Sequence, residues 1–158
     1  MCREEGLDLS RTLFAAHDEI SQNFGLIGVV KEVGIDDQGL AEFYADYFTH
    51  PLYHDESKVL YDALGGRTLQ LTTWNPLRWI TALREMSARQ RAKGNLSGNM
   101  KGEGMVQGGV VIFDSRGNPR YAYQEDTGSE LPIEDLLTAA MAVIKEDTSS
   151  QTQQLADL

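Results

Sequence analysis

Leu26-Ile27-Gly28-Val29-Val30 is a run of apolar residues with no polar alternation, set just after Gly25. A strand with one wet face alternates between apolar and polar residues. A strand covered on both faces, as in a parallel sheet, does not. The run therefore reads as a short buried strand within an α/β layer. Upstream, residues 3 to 23 read as one helix, because Leu9, Leu13, Ala16 and Ile20 recur at helical intervals. Glu4 and Glu5 fall in its first turn, where carboxylates suit the helix dipole. Downstream, residues 38 to 48 read as a second helix, with Leu40, Phe43, Tyr44, Tyr47 and Phe48 as its apolar stripe.

Further along, Pro51-Leu52-Tyr53 is a brief extended piece. Ser57 to Leu64 is a short helix, stopped by Gly65 and Gly66. Leu77 to Arg91 reads as a helix, and Asn95 to Gly109 as irregular chain. Gly109 to Phe113 is an apolar strand, Asp114-Ser115-Arg116-Gly117 a turn, and Arg120 to Gln124 the return strand of a hairpin. The last helix carries Ile133, Leu136, Leu137, Ala140, Met141 and Ile144 on one side, with Pro132 near its start. From Asp147 the chain is polar, which predicts a disordered tail over 147–158 and a single domain over 1–146. The element order predicts an α/β layer fold with a hairpin at one edge.

Composition narrows the function. The chain has 158 residues, enough for one domain with a core, and a formal net charge of −10. That charge argues against nonspecific nucleic-acid binding and against an anionic membrane surface. No apolar run approaches the roughly 20 residues of a membrane span. The charged start argues against a signal peptide and for a cytoplasmic protein, with an organelle as the alternative if a targeting segment precedes Met1. Cys2 is the single cysteine. It permits neither an internal disulfide nor a cysteine-based zinc cluster, and it suits a reducing compartment.

Cys2 opens the first helix, where the partial positive charge of free backbone N–H groups lowers a thiol's pKa. On the residues alone, a redox thiol and an inert chain-end residue stand level. Arg3 could steady a thiolate by charge, but a solvated first-turn residue is favoured. His17, His50 and His54 form no metal pattern, and Pro51 breaks the helical spacing of the last two. Asp55 or Glu56 reads as a carboxylate near a helix start. The stretch from Gly98 to Gly104 lacks the G-K-[ST] of a phosphate loop. Arg78, Arg84, Arg89, Arg91 and Lys93 gather positive charge on one helix, which reads as a solvated face ahead of a docking surface for an acidic partner.

Four segments, in order, resemble a known family. They are Cys2-Arg3-Glu4-Glu5 with its leucine-bearing helix; Gly28-Val29-Val30-Lys31-Glu32; Leu52-Tyr53-His54-Asp55-Glu56-Ser57-Lys58-Val59-Leu60-Tyr61-Asp62-Ala63-Leu64-Gly65; and Gly94-Asn95-Leu96-Ser97-Gly98 with Gly102-Glu103-Gly104 before Gly108-Gly109-Val110-Val111. Together they resemble the peroxiredoxin-like (AhpC/TSA-like) family of the selenoprotein U and prostamide/prostaglandin F synthase type. The likeness covers about positions 2 to 145. It implies a thioredoxin-like three-layer α/β/α fold and thiol redox chemistry. The family carries a C-x-x-C or selenocysteine variant before the first helix, so Cys2 matches the second cysteine. The first cysteine and the strand before it would then lie upstream of Met1, and the chain is expected to start within the family's pattern.

The resemblance implies a thiol-dependent oxidoreductase or antioxidant that reduces a peroxide, an endoperoxide or a disulfide. Cys2 would be the catalytic thiol, with no bound cofactor or metal and with an external donor such as thioredoxin or glutathione. In thioredoxin-like folds the residue before the hairpin strand faces the redox loop. Gly108 and Gly109, with Arg3, are thus candidates for substrate binding, close packing of the strand being the other reading of the glycines. Missing strands would also leave a sheet edge open to self-association. The rival expectations are a non-catalytic thioredoxin-fold binding module and an inactive fragment of the redox enzyme.

Overall fold

The computed structural model describes residues 2–66, 84, 87–88, 91–92, 108–125 and 129–156, apart from the side chains of Cys2 and of residues 150–156. The expected helix over 77–91 and the glycine-rich approach over 95–107 lie largely outside the described residues. The described elements mix helices and strands, with a helical stretch between the first two strands and a hairpin before the last helix, consistent with an α/β fold.

Helix α1 (Cys2–Leu7) continues directly into a π-helical segment, Asp8–Phe14. The Ala15 N–H reaches back five residues to the Ser10 carbonyl at 3.0 Å, the wide pattern of a π turn. The chain then breaks, with His17 in extended conformation, and α2 (Asp18–Asn23) follows. The single helix expected over 3–23 is therefore two, joined at Ala15-Ala16-His17. The apolar spacing survives the break, since Leu13 and Ile20 are both buried.

β1 (Gly28–Val30) pairs in parallel with β2 (Leu52–His54), Gly28 facing Leu52 and Val30 facing His54. The parallel pairing fits the unbroken apolar run. The expected cover on both faces is not found: the three residues of β1 are half-buried, and Ile27 just before them is 55% exposed. Among the described residues β1 pairs only with β2. Between them, α3 (Asp37–Glu42) runs into a second π-helical segment, Phe43–Tyr47. Phe43 and Phe48 stack with ring centroids 5.7 Å apart, and Phe48 is buried.

The segment after β2 shows how its sequence sets local structure. Asp55 accepts hydrogen bonds from the N–H groups of Val59 (Oδ1, 3.0 Å) and Leu60 (Oδ2, 2.8 Å). It thereby caps α4 (Val59–Ala63), satisfying donors that a helix start leaves free. Its own N–H extends the β1–β2 pairing by donating to Val30 O at 2.9 Å. The Tyr61 hydroxyl donates to Val29 O at 3.1 Å and ties α4 back to β1.

β3 (Gly109–Phe113) and β4 (Pro119–Gln124) form an antiparallel hairpin. Asp114 closes its turn by accepting from the N–H groups of Arg116 (3.0 Å) and Asn118 (2.9 Å), with Gly117 at a φ of 81°. One face of the hairpin, with Val110, Ile112, Tyr121 and Tyr123, packs on a core of Leu13, Leu131 and Leu136. Leu9, Ile133 and Leu137 complete that cluster. The hairpin thus lies on the first helical stretch and on α5 (Ile133–Ala156).

Helix α5 runs to Ala156, ten residues past the point where the polar composition predicts disorder. The physical reason lies in the hairpin turn. Asp147 Oδ2 accepts from the Ser115 N–H at 3.1 Å, and Glu146 pairs with Arg120. Polar residues in this stretch find tertiary partners that composition alone does not show. No described helix is long and apolar enough to cross a membrane.

Candidate active site

Cys2 is the first residue of α1. Its side chain lies outside the described residues, so its setting is read from its neighbours. Arg3 Nη2 donates to Glu42 Oε2 at 3.1 Å, and its guanidinium lies 5.0 Å from the centre of the Tyr47 ring. Its side chain is 16% exposed. Arg3 is therefore engaged by the helix packed beside α1, an ion pair plus a cation–π contact, rather than projecting into solvent.

The two glycines separate. At Gly109 a Cβ would lie 2.1 Å from the Tyr123 carbonyl oxygen, so the close pairing of β3 with β4 itself demands a glycine. At Gly108 a Cβ would meet, among the described residues, only Glu125 Oε2, at 3.6 Å, an ordinary contact. The packing of the described residues gives no reason for glycine at 108. The backbone of Gly108 is nonetheless held firmly: its N–H donates to Glu125 Oε2 at 3.0 Å, and its carbonyl accepts from the Glu125 N–H at 3.0 Å.

The charge of Glu125 also acts on α1. Glu5, half-buried on α1, has its pKa raised from 4.5 to about 7. Burial is the largest cause and the charge of Glu125 the next. Glu4, 6% exposed, is the buried charged residue among the described side chains. The charges of Glu125, Glu4 and Asp8 thus act together on Glu5. The sequence reading assigned Glu4 and Glu5 to the helix dipole and missed their burial. The available signal was position: Glu5 lies four residues before the core-facing Leu9, so it shares that inward face.

His50 sits between the rings of Phe14 and Phe48, each 5.2 Å away in an edge arrangement, and burial lowers its pKa. It packs as an aromatic. Among the described residues no three His, Cys, Asp or Glu side chains are placed to hold a metal ion.

Comparison with known proteins places this geometry. Residues 8–127 match the family model described as AhpC/TSA antioxidant enzyme. The chain is 32% identical over 108 residues to a prostamide/prostaglandin F synthase of Pongo abelii, covering 66% of this chain and 54% of that protein. It is 30% identical over 128 residues to the prostamide/prostaglandin F synthase of Aquarana catesbeiana, covering 79% and 63%. The Homo sapiens protein of the same name is 32% identical over 108 residues, covering 66% and 54%. The chain thus spans a little over half the length of these relatives. No solved structure gives a significant match. With three quarters of its length matched, and the parallel strand pair, hairpin and closing helix in place, the chain belongs to the AhpC/TSA antioxidant enzyme family, with its thioredoxin-like α/β fold.

Proposed function

We propose that the protein of which this chain is part is a thiol-dependent oxidoreductase, with Cys2 as a redox thiol. The observation that carries this reading is the place of the cysteine. In a chain of an antioxidant-enzyme family, it is the first residue of helix α1. A helix start favours the thiolate, the form that attacks oxygen or sulfur.

Reduction of a hydroperoxide then balances as follows. The Cys2 thiolate takes the terminal oxygen and its proton, the O–O bond breaks, and the alkoxide collects a proton to leave as an alcohol. Cys2 becomes a sulfenic acid. Within this chain, where Cys2 is the one cysteine, an external thiol condenses with the sulfenic acid and releases water. A second thiol equivalent then restores Cys2 and leaves as a disulfide. Thioredoxin or glutathione supplies the class of donor. The relatives are named prostamide/prostaglandin F synthase, which supports a small-molecule endoperoxide beside peroxides and protein disulfides as the reducible bond. No metal or bound cofactor takes part in this cycle.

The test is thiol reactivity. Cys2 should alkylate at neutral pH faster than free cysteine. Peroxide turnover with a thioredoxin system should appear in the chain extended upstream of Met1 and be lost in its Cys2→Ser variant. Alkylation no faster than free cysteine, with turnover unchanged by Cys2→Ser, would refute the reading.

A further inference from the structure

Both described π-helical segments border one cleft. Arg11 and Phe14, of the segment Asp8–Phe14, lie on one side of it. Ala45, Asp46 and Tyr47, of the segment Phe43–Tyr47, lie on the other. In each segment an N–H reaches back five residues: Ala15 to the Ser10 carbonyl at 3.0 Å, and Phe48 to the Phe43 carbonyl at 2.9 Å. A π turn is a rare departure from the α-helix, and it recurs at functional sites. Here two of them meet at the same place. The cleft has a volume of about 330 Å³, within the range of about 300–1,000 Å³ that organic ligands occupy.

The surface of the cleft is mostly apolar, with one cation at its rim. Phe14 and His50 meet edge to face, ring centroids 5.2 Å apart. Burial lowers the His50 pKa, so this ring is uncharged at neutral pH. Arg11 Nη2 donates to the Asp46 carbonyl at 3.4 Å. Asp46 engages it through the backbone, and among the described residues no carboxylate lies in ion-pair reach of the guanidinium. The charge is held in place and left unmatched. Next to it in sequence, Ser10 also borders the cleft, and its Oγ is buried with no hydrogen-bond partner among the described residues. A buried hydroxyl without a partner costs stability until one arrives.

We propose that this cleft binds a small aromatic carboxylate, with its ring against Phe14 and His50 and its carboxylate on Arg11 and the Ser10 hydroxyl. Guanidinium and carboxylate make a charge-assisted pair of matched geometry, and the flanking rings shield the ligand's ring from water. A cation of the same shape meets the like charge of Arg11. A neutral amide forgoes the ion pair. The site is separate from the thiol. Arg11 follows Cys2 by nine residues on one helical stretch, roughly 13 Å at about 1.5 Å per residue. Binding here therefore stands or falls independently of the redox reading.

Amide NMR titration of the chain with benzoate tests the proposal. Saturable shifts should fall on residues 10–15 and 45–50. Arg11→Gln should weaken benzoate by about three- to five-fold, the size of an exposed ion pair, and leave the weaker binding of benzamide unchanged. Ala45→Trp places an indole at an exposed position on the cleft and should abolish binding of both, with the remaining spectrum native-like. Arg116→Gln, at an exposed cation of the hairpin turn, should leave benzoate binding unchanged. The proposal is overturned by the absence of saturable shifts at millimolar benzoate, or by benzylamine binding as tightly as benzoate. Equal benzoate affinity in Arg11→Gln, or binding that survives Ala45→Trp, overturns it as well.

Discussion

Glu125 grips Gly108 twice, through Oε2 on the Gly108 N–H and through its own N–H on the Gly108 carbonyl, both at 3.0 Å. This ring of two hydrogen bonds extends the β3–β4 pairing one step past Gly109 and Gln124. It also fixes a carboxyl group at the entry to the hairpin. Its charge adds to burial, the larger cause, in raising the pKa of Glu5 on α1.

The first prediction concerns pH and stability. The folded-state pKa of Glu5 lies at about 7 against 4.5 for an unperturbed group. The folded state therefore binds more protons than the unfolded state between those values, so stability falls as pH rises. The contribution is complete below about 4.5 and gone above about 7, with a size of order 3 kcal/mol. Urea melts across that window should show the slope. Glu5→Gln should flatten it, and a slope that survives the substitution contradicts the assignment.

The two glycines should respond differently. Gly109→Ala forces the hairpin strands apart, since the new Cβ would sit 2.1 Å from the Tyr123 oxygen. A loss of about 1–3 kcal/mol is expected, the usual size for inserting a group into a filled space. Among the described residues Gly108→Ala meets only a carboxylate oxygen, at 3.6 Å, and should change the urea midpoint little. Equal effects at both positions would contradict this account of the hairpin entry.

Leu136 is the centre of the core. It is 0% exposed and contacts both the first helical stretch and the hairpin face through the Leu13–Leu131 cluster. Leu136→Ala should cost about 2–5 kcal/mol, the lost transfer energy plus the cavity left behind. Equilibrium unfolding followed by circular dichroism measures it, and a loss below 1 kcal/mol would mean that this cluster is not the core.

At the turn, Asp114 gathers the Asn118 N–H and side-chain amide, the Arg116 N–H and Arg120, and the Asn118 bonds first among these lower its pKa. The sign is opposite to that of Glu5. Its stabilising contribution is present above the ordinary aspartate range and disappears as pH falls through the lowered value. Asp114→Ala should therefore lower the melting temperature at neutral pH and have a smaller effect in strong acid.

Some of this structure was legible in the sequence. The unbroken apolar run at 26–30 called for parallel pairing because such strands have no wet face, and β1 does pair in parallel with β2. Asp114 to Gly117 marked the hairpin because few residues accept the φ of 81° found at Gly117. Other features were not legible. Ala15 and Ala16 favour helix, yet the chain breaks there, because burying both Leu13 and Ile20 outweighs local propensity. The polar stretch after Lys145 reads as a loose tail until Ser115 and Arg120 are seen to meet Asp147 and Glu146. Within the candidate site, a cysteine at a helix start carries its own physical signal. The influence of Glu125 on Glu5 is tertiary, between residues 120 positions apart, and nothing in either local sequence announces it.

The central claim is that Cys2 is an activated thiol, and its pKa tests this most directly. Iodoacetamide alkylation across pH in this chain should give a midpoint below the value near 8.5 of free cysteine, with a rate at pH 7 above that of a free thiol. A midpoint at or above the free value would contradict the account.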